Sequence, residues 1–143
     1  MNEYNVKAIN DTYKNARIAL QSIADIMPRV VSGALKKELK EEYEGYDKLI
    51  GEISSFMLDN GLSPKDIGVF KKTMLLSSIK MKTLVNNSKN HIAVLMIKGS
   101  MMGIIELRAM LNESKNLTEE VKNYIEKLAK LEEEYLERLK KFL

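Results

Sequence analysis

Residues 96–107 read MIKGSMMGIIEL. The run is apolar enough for the inside of a helix, yet it carries Gly99 and Gly103 one turn apart. Positions i and i+4 share a helical face, and each glycine costs a helix interior about 1 kcal/mol relative to alanine. The expected return is close approach, because a face without side chains lets a neighbouring helix pack nearer. Met96, Met101, Met102 and Met110 surround the pair, and methionine fills irregular gaps well. Gly99 and Gly103 are therefore read as helix-packing positions. Their helix is expected to be the most buried in the fold, with the methionines as core. A small pocket beside the glycines is the functional alternative.

Working outward, the same periodicity recurs. Residues 3–27 place Val6, Ile9, Tyr13, Ala16, Leu20, Ile23 and Met27 in a 3-4 alternation, the mark of a bundle helix. Pro28 disfavours helical geometry at Met27. A second helix, 32–60, starts at the cap Ser32. It carries Leu35, Leu39, Tyr43, Tyr46, Leu49, Ile50, Ile53, Phe56 and Met57, and ends where Gly61 can turn left-handed. Ser63 and Pro64 signal a new segment, 64–86, with Ile67, Phe70, Met74, Met81 and Leu84 on one face and lysines on the other. After Ser88, helix 89–112 leads through a turn to helix 118–142, capped by Thr118. Its stripe is Val121, Ile125, Leu128, Leu131, Tyr135, Leu139 and Phe142. No stretch alternates with the period of a strand. The reading is an all-α, single-domain up-down four-helix bundle spanning 1–143, built from two antiparallel hairpins. Segment 64–86 is an additional helical crossover between the second and third long helices.

Composition fits this class. Of 143 residues, 45% are hydrophobic and 30% charged, with two prolines, no cysteine and one histidine, His91. Disulfides, thiolate metal sites and cysteine nucleophiles are excluded. The polar start is not a signal peptide, and the longest apolar run is broken by Lys98 and Glu106; a cytoplasmic protein without a transmembrane segment is expected. The net charge of +3 is uneven. Residues 61–98 hold seven basic groups against the single acid Asp66.

The run HIAVLMIKGSMMGIIEL, residues 91–107, resembles a signature of uncharacterised bacterial ferritin-like bundle proteins. In that group it accompanies a second helix like LKKELKEEYEGYDKLIGEI, residues 35–53, followed by NGLSPK, residues 60–65. The resemblance is strongest over residues 4–113. It implies a ferritin-like four-helix bundle and brings no demonstrated activity.

Ferritin-like bundles often hold two metal ions between one Glu on each of two helices and a Glu-x-x-His on each of the other two. The first helix has no acid on its stripe. Glu42 lies near the stripe of the second, with Gly45 three residues on; Glu132 is followed by Tyr135; Glu106 is on or near the buried face of the third. No imidazole joins them, and His91 stands in no Glu-x-x-His. The metal site is thus read as degenerate, with no cofactor expected. Glu42, Glu106 and Glu132 should be near the surface, paired with Lys or Tyr, or protonated, because an uncompensated buried carboxylate is costly. Tyr13, Tyr43, Tyr46 and Tyr135 can satisfy them.

There is no phosphate loop and no Ser-His-acid set. The leading expectation is a non-enzymatic structural or protein-interaction bundle, monomeric or homodimeric through a bundle face. The first alternative is a carboxylate-rich metal-binding or oxidoreductase bundle using Glu42, Glu106 and Glu132. The second is an anionic-surface binder, of nucleic acid or membrane, through Lys65, Lys71, Lys72, Lys80, Lys82 and Lys89. The absence of arginine there favours a solvated face over nucleic-acid binding.

Overall fold

A computed structural model describes residues 1–64, 87–113 and 115–143. Among them are four long α-helices and no strand: α1 (Glu3–Ile26), α2 (Gly33–Asp59), α3 (Lys89–Glu113) and α4 (Glu119–Leu139). Short 3-10 turns, Met27–Arg29 and Lys140–Phe142, follow α1 and α4. The expected crossover 64–86 lies outside the described residues after Pro64, and so do Lys65, Lys71, Lys72, Lys80 and Lys82.

The helix ends follow local chemistry. Ser32 Oγ accepts the Leu35 N–H and Thr118 Oγ1 accepts that of Val121. Each satisfies an amide that the first turn leaves open. Glu119 and Glu120 then sit at the positive end of the α4 dipole. Gly61 takes φ +74°, and Leu62 N–H closes back onto the Met57 carbonyl at 2.8 Å, the bond pattern of a Schellman stop. Asn2 caps α1 by accepting the Asn5 N–H at 2.9 Å.

Side-chain pairs set the helix directions. Asn5 at the start of α1 meets Asn116 and Thr118, just before α4, so α1 and α4 begin at the same end. Glu38 near the start of α2 pairs with Arg138 at the finish of α4. Phe56 near the finish of α2 packs on Tyr124 near the start of α4, with ring centroids 4.9 Å apart. Arg108 of α3 bridges Glu126 and Glu133 of α4 at 2.6 and 2.5 Å. Helices α1 and α4 run one way, α2 and α3 the other. Both hairpins, α1–α2 and α3–α4, are antiparallel, and α1 and α4 each touch all the other helices. Helix α2 finishes at one end of the bundle and α3 begins at the other.

One continuous core fills the interior. Ile9, Ile23, Leu39, Ile53, Ile92, Leu107, Ile125 and Leu128 are fully buried, each contributing about 1.5–3 kcal/mol of burial. Two expectations need correction. Tyr43 faces outward while Glu42 is inside, because 42 continues the spacing of 35, 39, 46 and 49. Helix α3 is not the most buried helix; it buries Ile92, Ala93, Met96 and Leu107 and leaves Met101, Met102 and Ile105 exposed. Its apolar residues surround the axis, so composition alone does not say which face is inside. No helix among the described residues is long and apolar enough to cross a membrane.

Candidate functional site

The chemistry inside the bundle is a set of uncharged polar groups around two buried acids. Glu42 of α2 and Glu132 of α4 are each 2% exposed. Tyr46, near both acids, and Tyr135, near Glu42, pack edge to face with centroids 5.2 Å apart. Burial lifts the Glu42 carboxyl to about 10, helped by a hydrogen bond to the Glu38 carboxylate and that group's charge, with Arg138 opposing. Burial likewise lifts Glu132 to about 9, with added repulsion from Glu106 and Glu133. The tyrosines are pushed the same way, Tyr46 well above its ordinary value and Tyr135 to about 12, by burial first and the neighbouring acids second. At neutral pH both acids are protonated, as isolated buried charge requires.

Two glycines make room for these groups. A Cβ on Gly45 would overlap the Tyr135 hydroxyl outright. A Cβ on Gly103 would lie 2.6 Å from Glu132 Oε2 and 3.1 Å from both Cδ and Oε1. Gly103 thus admits a side chain from α4, while its own carbonyl accepts Asn15 Nδ2 of α1 at 3.1 Å. Among the described residues a Cβ on Gly99 would meet nothing within 4 Å, so close packing accounts for one glycine of the pair only.

Glu42 Oε2, Glu132 Oε2 and Asn15 Oδ1 are buried and have no hydrogen-bond partner among the described residues. The edge of the cluster is charged: Arg138 Nε donates to Glu38 Oε1 at 3.0 Å, a second guanidinium nitrogen donates to Glu41, and the guanidinium lies 5.4 Å from the Tyr135 ring centroid.

The register between α2 and α4 decides what the acids can do together. Glu38 pairs with Arg138, Glu52 with Lys127 and Phe56 with Tyr124. Glu132 therefore stands level with residues 44–48 of α2, about two to six positions past Glu42. At 1.5 Å per residue the backbone positions of the two acids are offset by about 3–9 Å along the bundle. Glu106 is exposed rather than inward. It reaches Glu132 only as a neighbouring charge. Among the described residues no three acid or histidine side chains form a metal-ligand group. Metal ligation also needs deprotonated ligands, which burial opposes here. His91 is half-buried, its Nε2 without a partner among the described residues, and Lys89 is exposed.

Sequence reasoning missed Asn15 and the seating of Tyr135 at Gly45. The signal for Asn15 is a second row on α1: Asn5, Ala8, Thr12 and Asn15 repeat at spacings of 3 and 4 and are all buried. Small uncharged residues in a helical row mark a face that other helices approach. Among the described residues, one open depression runs along Val6, Asn10 and Lys14 of α1 and another lies at Gly51, Phe56 and Tyr124; the buried acids line neither of these. No protein-family model, curated protein or solved structure matches this chain.

Proposed function

We propose that this chain is a non-enzymatic ferritin-like bundle with a degenerate metal site, acting as a structural or protein-interaction module. The observation that carries the reading is the seating of Tyr135 at Gly45. These are the residues three positions after Glu132 and Glu42, where a di-metal bundle carries its two histidines. Here one of those positions has no side chain, and the other fills the space with a phenol. The protonated state of the buried acids supports the same reading.

The ferritin-like connectivity is part of the proposal. Helix α2 finishes and α3 begins at opposite ends, which suits the single long crossover of that fold. Residues 64–86 then form a helical crossover running the length of the bundle. Elemental analysis of the purified protein, before and after incubation with iron(II) or manganese(II), tests the function. Substoichiometric metal in both samples is expected. One or two ions per chain, lost in a Glu42→Gln/Glu132→Gln variant, would reverse the reading in favour of an oxidoreductase or metal carrier.

A further inference from the structure

We infer that the end of the bundle where α1 and α4 finish and α2 and α3 begin is a docking surface for an anionic lipid bilayer. Basic groups gather there from all four long helices. Arg29 follows α1, Lys36, Lys37 and Lys40 lie in the first two turns of α2, Lys89 opens α3, and Lys141 follows α4. Arg29 is half-buried and the other five are exposed. No ion pair formed among the described residues engages any of the six. The acids of the same turns are engaged: Glu38 and Glu41 by Arg138, Glu137 by Lys140, and Asp25 by Gln21. The Glu38–Arg138 pair brings the finish of α4 beside the start of α2, and the turn Lys140–Phe142 packs on α3.

Lysine at these places opposes the fold's own electrostatics. A helix start favours acids and disfavours cations. The other end of the bundle keeps that rule, with Glu3 opening α1 and Glu119 and Glu120 opening α4. The first turns of α2 and α3 hold no acid. Helical side chains tilt toward the N-terminus, so Lys36, Lys37 and Lys89 lean outward past this end. They cost the bundle stability, and an anionic surface facing them offsets that cost. An apolar point stands among them. Val30 and Ser32 are extended on either side of Val31, and extended side chains alternate: Val30 is 4% exposed and Val31 81%. Pro28 is exposed as well. A bare valine flanked by lysines suits the boundary between headgroups and acyl chains, where hydrocarbon leaves water and ammonium groups stay with phosphates. Nucleic acid fits less well. Five of the six cations are lysines, which act as point charges rather than planar forks. Phe142, half-buried, is the one Phe, Tyr or Trp in these turns, so bases have no exposed ring to stack on. A failure to bind lipid would leave the reading of the buried acids intact.

Flotation of the full chain with vesicles tests it, with circular dichroism confirming that each variant folds. Vesicles of phosphatidylcholine mixed with phosphatidylglycerol should carry the protein at low salt and release it as salt is raised. Vesicles of phosphatidylcholine alone should not carry it. Lys36→Gln/Lys37→Gln should weaken partitioning about 30-fold, the effect of losing two lysines near an anionic surface. Lys48→Gln/Lys115→Gln has the same net charge, with both sites exposed away from this end, and should bind like the wild type. Val31→Asp should weaken binding without lowering the melting temperature. No partition into anionic vesicles, equal partition into both kinds, or equal losses in the two double variants would overturn the proposal. So would tighter binding to a mixed-sequence DNA duplex than to the vesicles, which would assign the surface to nucleic acid. A melting temperature lowered by Val31→Asp would also overturn it, since the chain itself would then be covering the tip.

Discussion

Replacing Gly45 by alanine should destabilise the bundle, although the same change elsewhere in α2 should stabilise it. Alanine is the better helix former by about 0.5–1 kcal/mol. At Gly51 a Cβ would meet nothing within 4 Å among the described residues, so Gly51→Ala should realise that gain. At Gly45 the new Cβ would occupy the place of the Tyr135 hydroxyl and lie 3.0 Å from Cζ. Tyr135 is 5% exposed and braced by Tyr46 at 5.2 Å and by Arg138, so it has little freedom to withdraw. Overpacking of this kind costs about 1–3 kcal/mol. With the helix gain subtracted, the net loss is about 1–2 kcal/mol, and a chain of this length should lose about 3–6 °C in melting temperature. Tyr135→Phe removes the offending oxygen but not the ring. Gly45→Ala should therefore cost about 1 kcal/mol less in that background, a coupling that a double-mutant cycle reads directly. Thermal and urea denaturation of the four cycle members, with Gly51→Ala as control, supplies the numbers. The reasoning fails if Gly45→Ala raises the melting temperature as Gly51→Ala does, or if the two substitutions at 45 and 135 are additive.

Gly103→Ala should also destabilise, by about 1 kcal/mol, since its Cβ would press on the buried Glu132 carboxyl at 2.6 Å; urea midpoints measure it. The buried acids set a pH dependence. In the unfolded chain a glutamate titrates near 4.3, whereas in the fold Glu42 and Glu132 hold their protons to about 10 and about 9. Their contribution to stability is therefore greatest below the unfolded value and is lost as pH rises toward 9–10, by at most about 1.4 kcal/mol per unit for each acid. Melting temperature should fall from pH 6 to 9, and Glu132→Gln should flatten the slope; a rising wild-type profile over that window would contradict the assignment. Asn5→Ala should cost about 2–3 kcal/mol, because it strands the Thr118 N–H, which Asn5 Oδ1 accepts at 2.9 Å, and frees the Asn2 cap held at 2.7 Å. Calorimetry of that variant against Asn10→Ala, on the half-buried edge of α1, isolates the effect.

The four long helices were legible because strong stripes and caps agree. Ser32, Gly61 and Thr118 act as their residue types demand, and the observed ends differ from the expected ones by a few residues at most. The inside of the site was legible only as a list of options. Glu42 and Glu132 turned out buried and protonated while Glu106 faces solvent; a sequence does not reveal that difference, since all three lie near a stripe edge and the phase of a neighbouring helix decides. The role of Gly45 was hidden for a related reason. Its meaning lies in Tyr135, 90 positions away and across the bundle, and local propensity registers only a glycine's cost. Helix α3 misled because apolar residues all round a helix carry no directional information.

The run of the helices has an electrostatic corollary. Of the four described long helices, two begin and two finish at each end of the bundle, since α1 and α4 start where α2 and α3 stop. The partial charges at helix termini then cancel pairwise at both poles. The four described helices together therefore exert little net axial pull on ions, and what they offer a charged neighbour comes from their side chains.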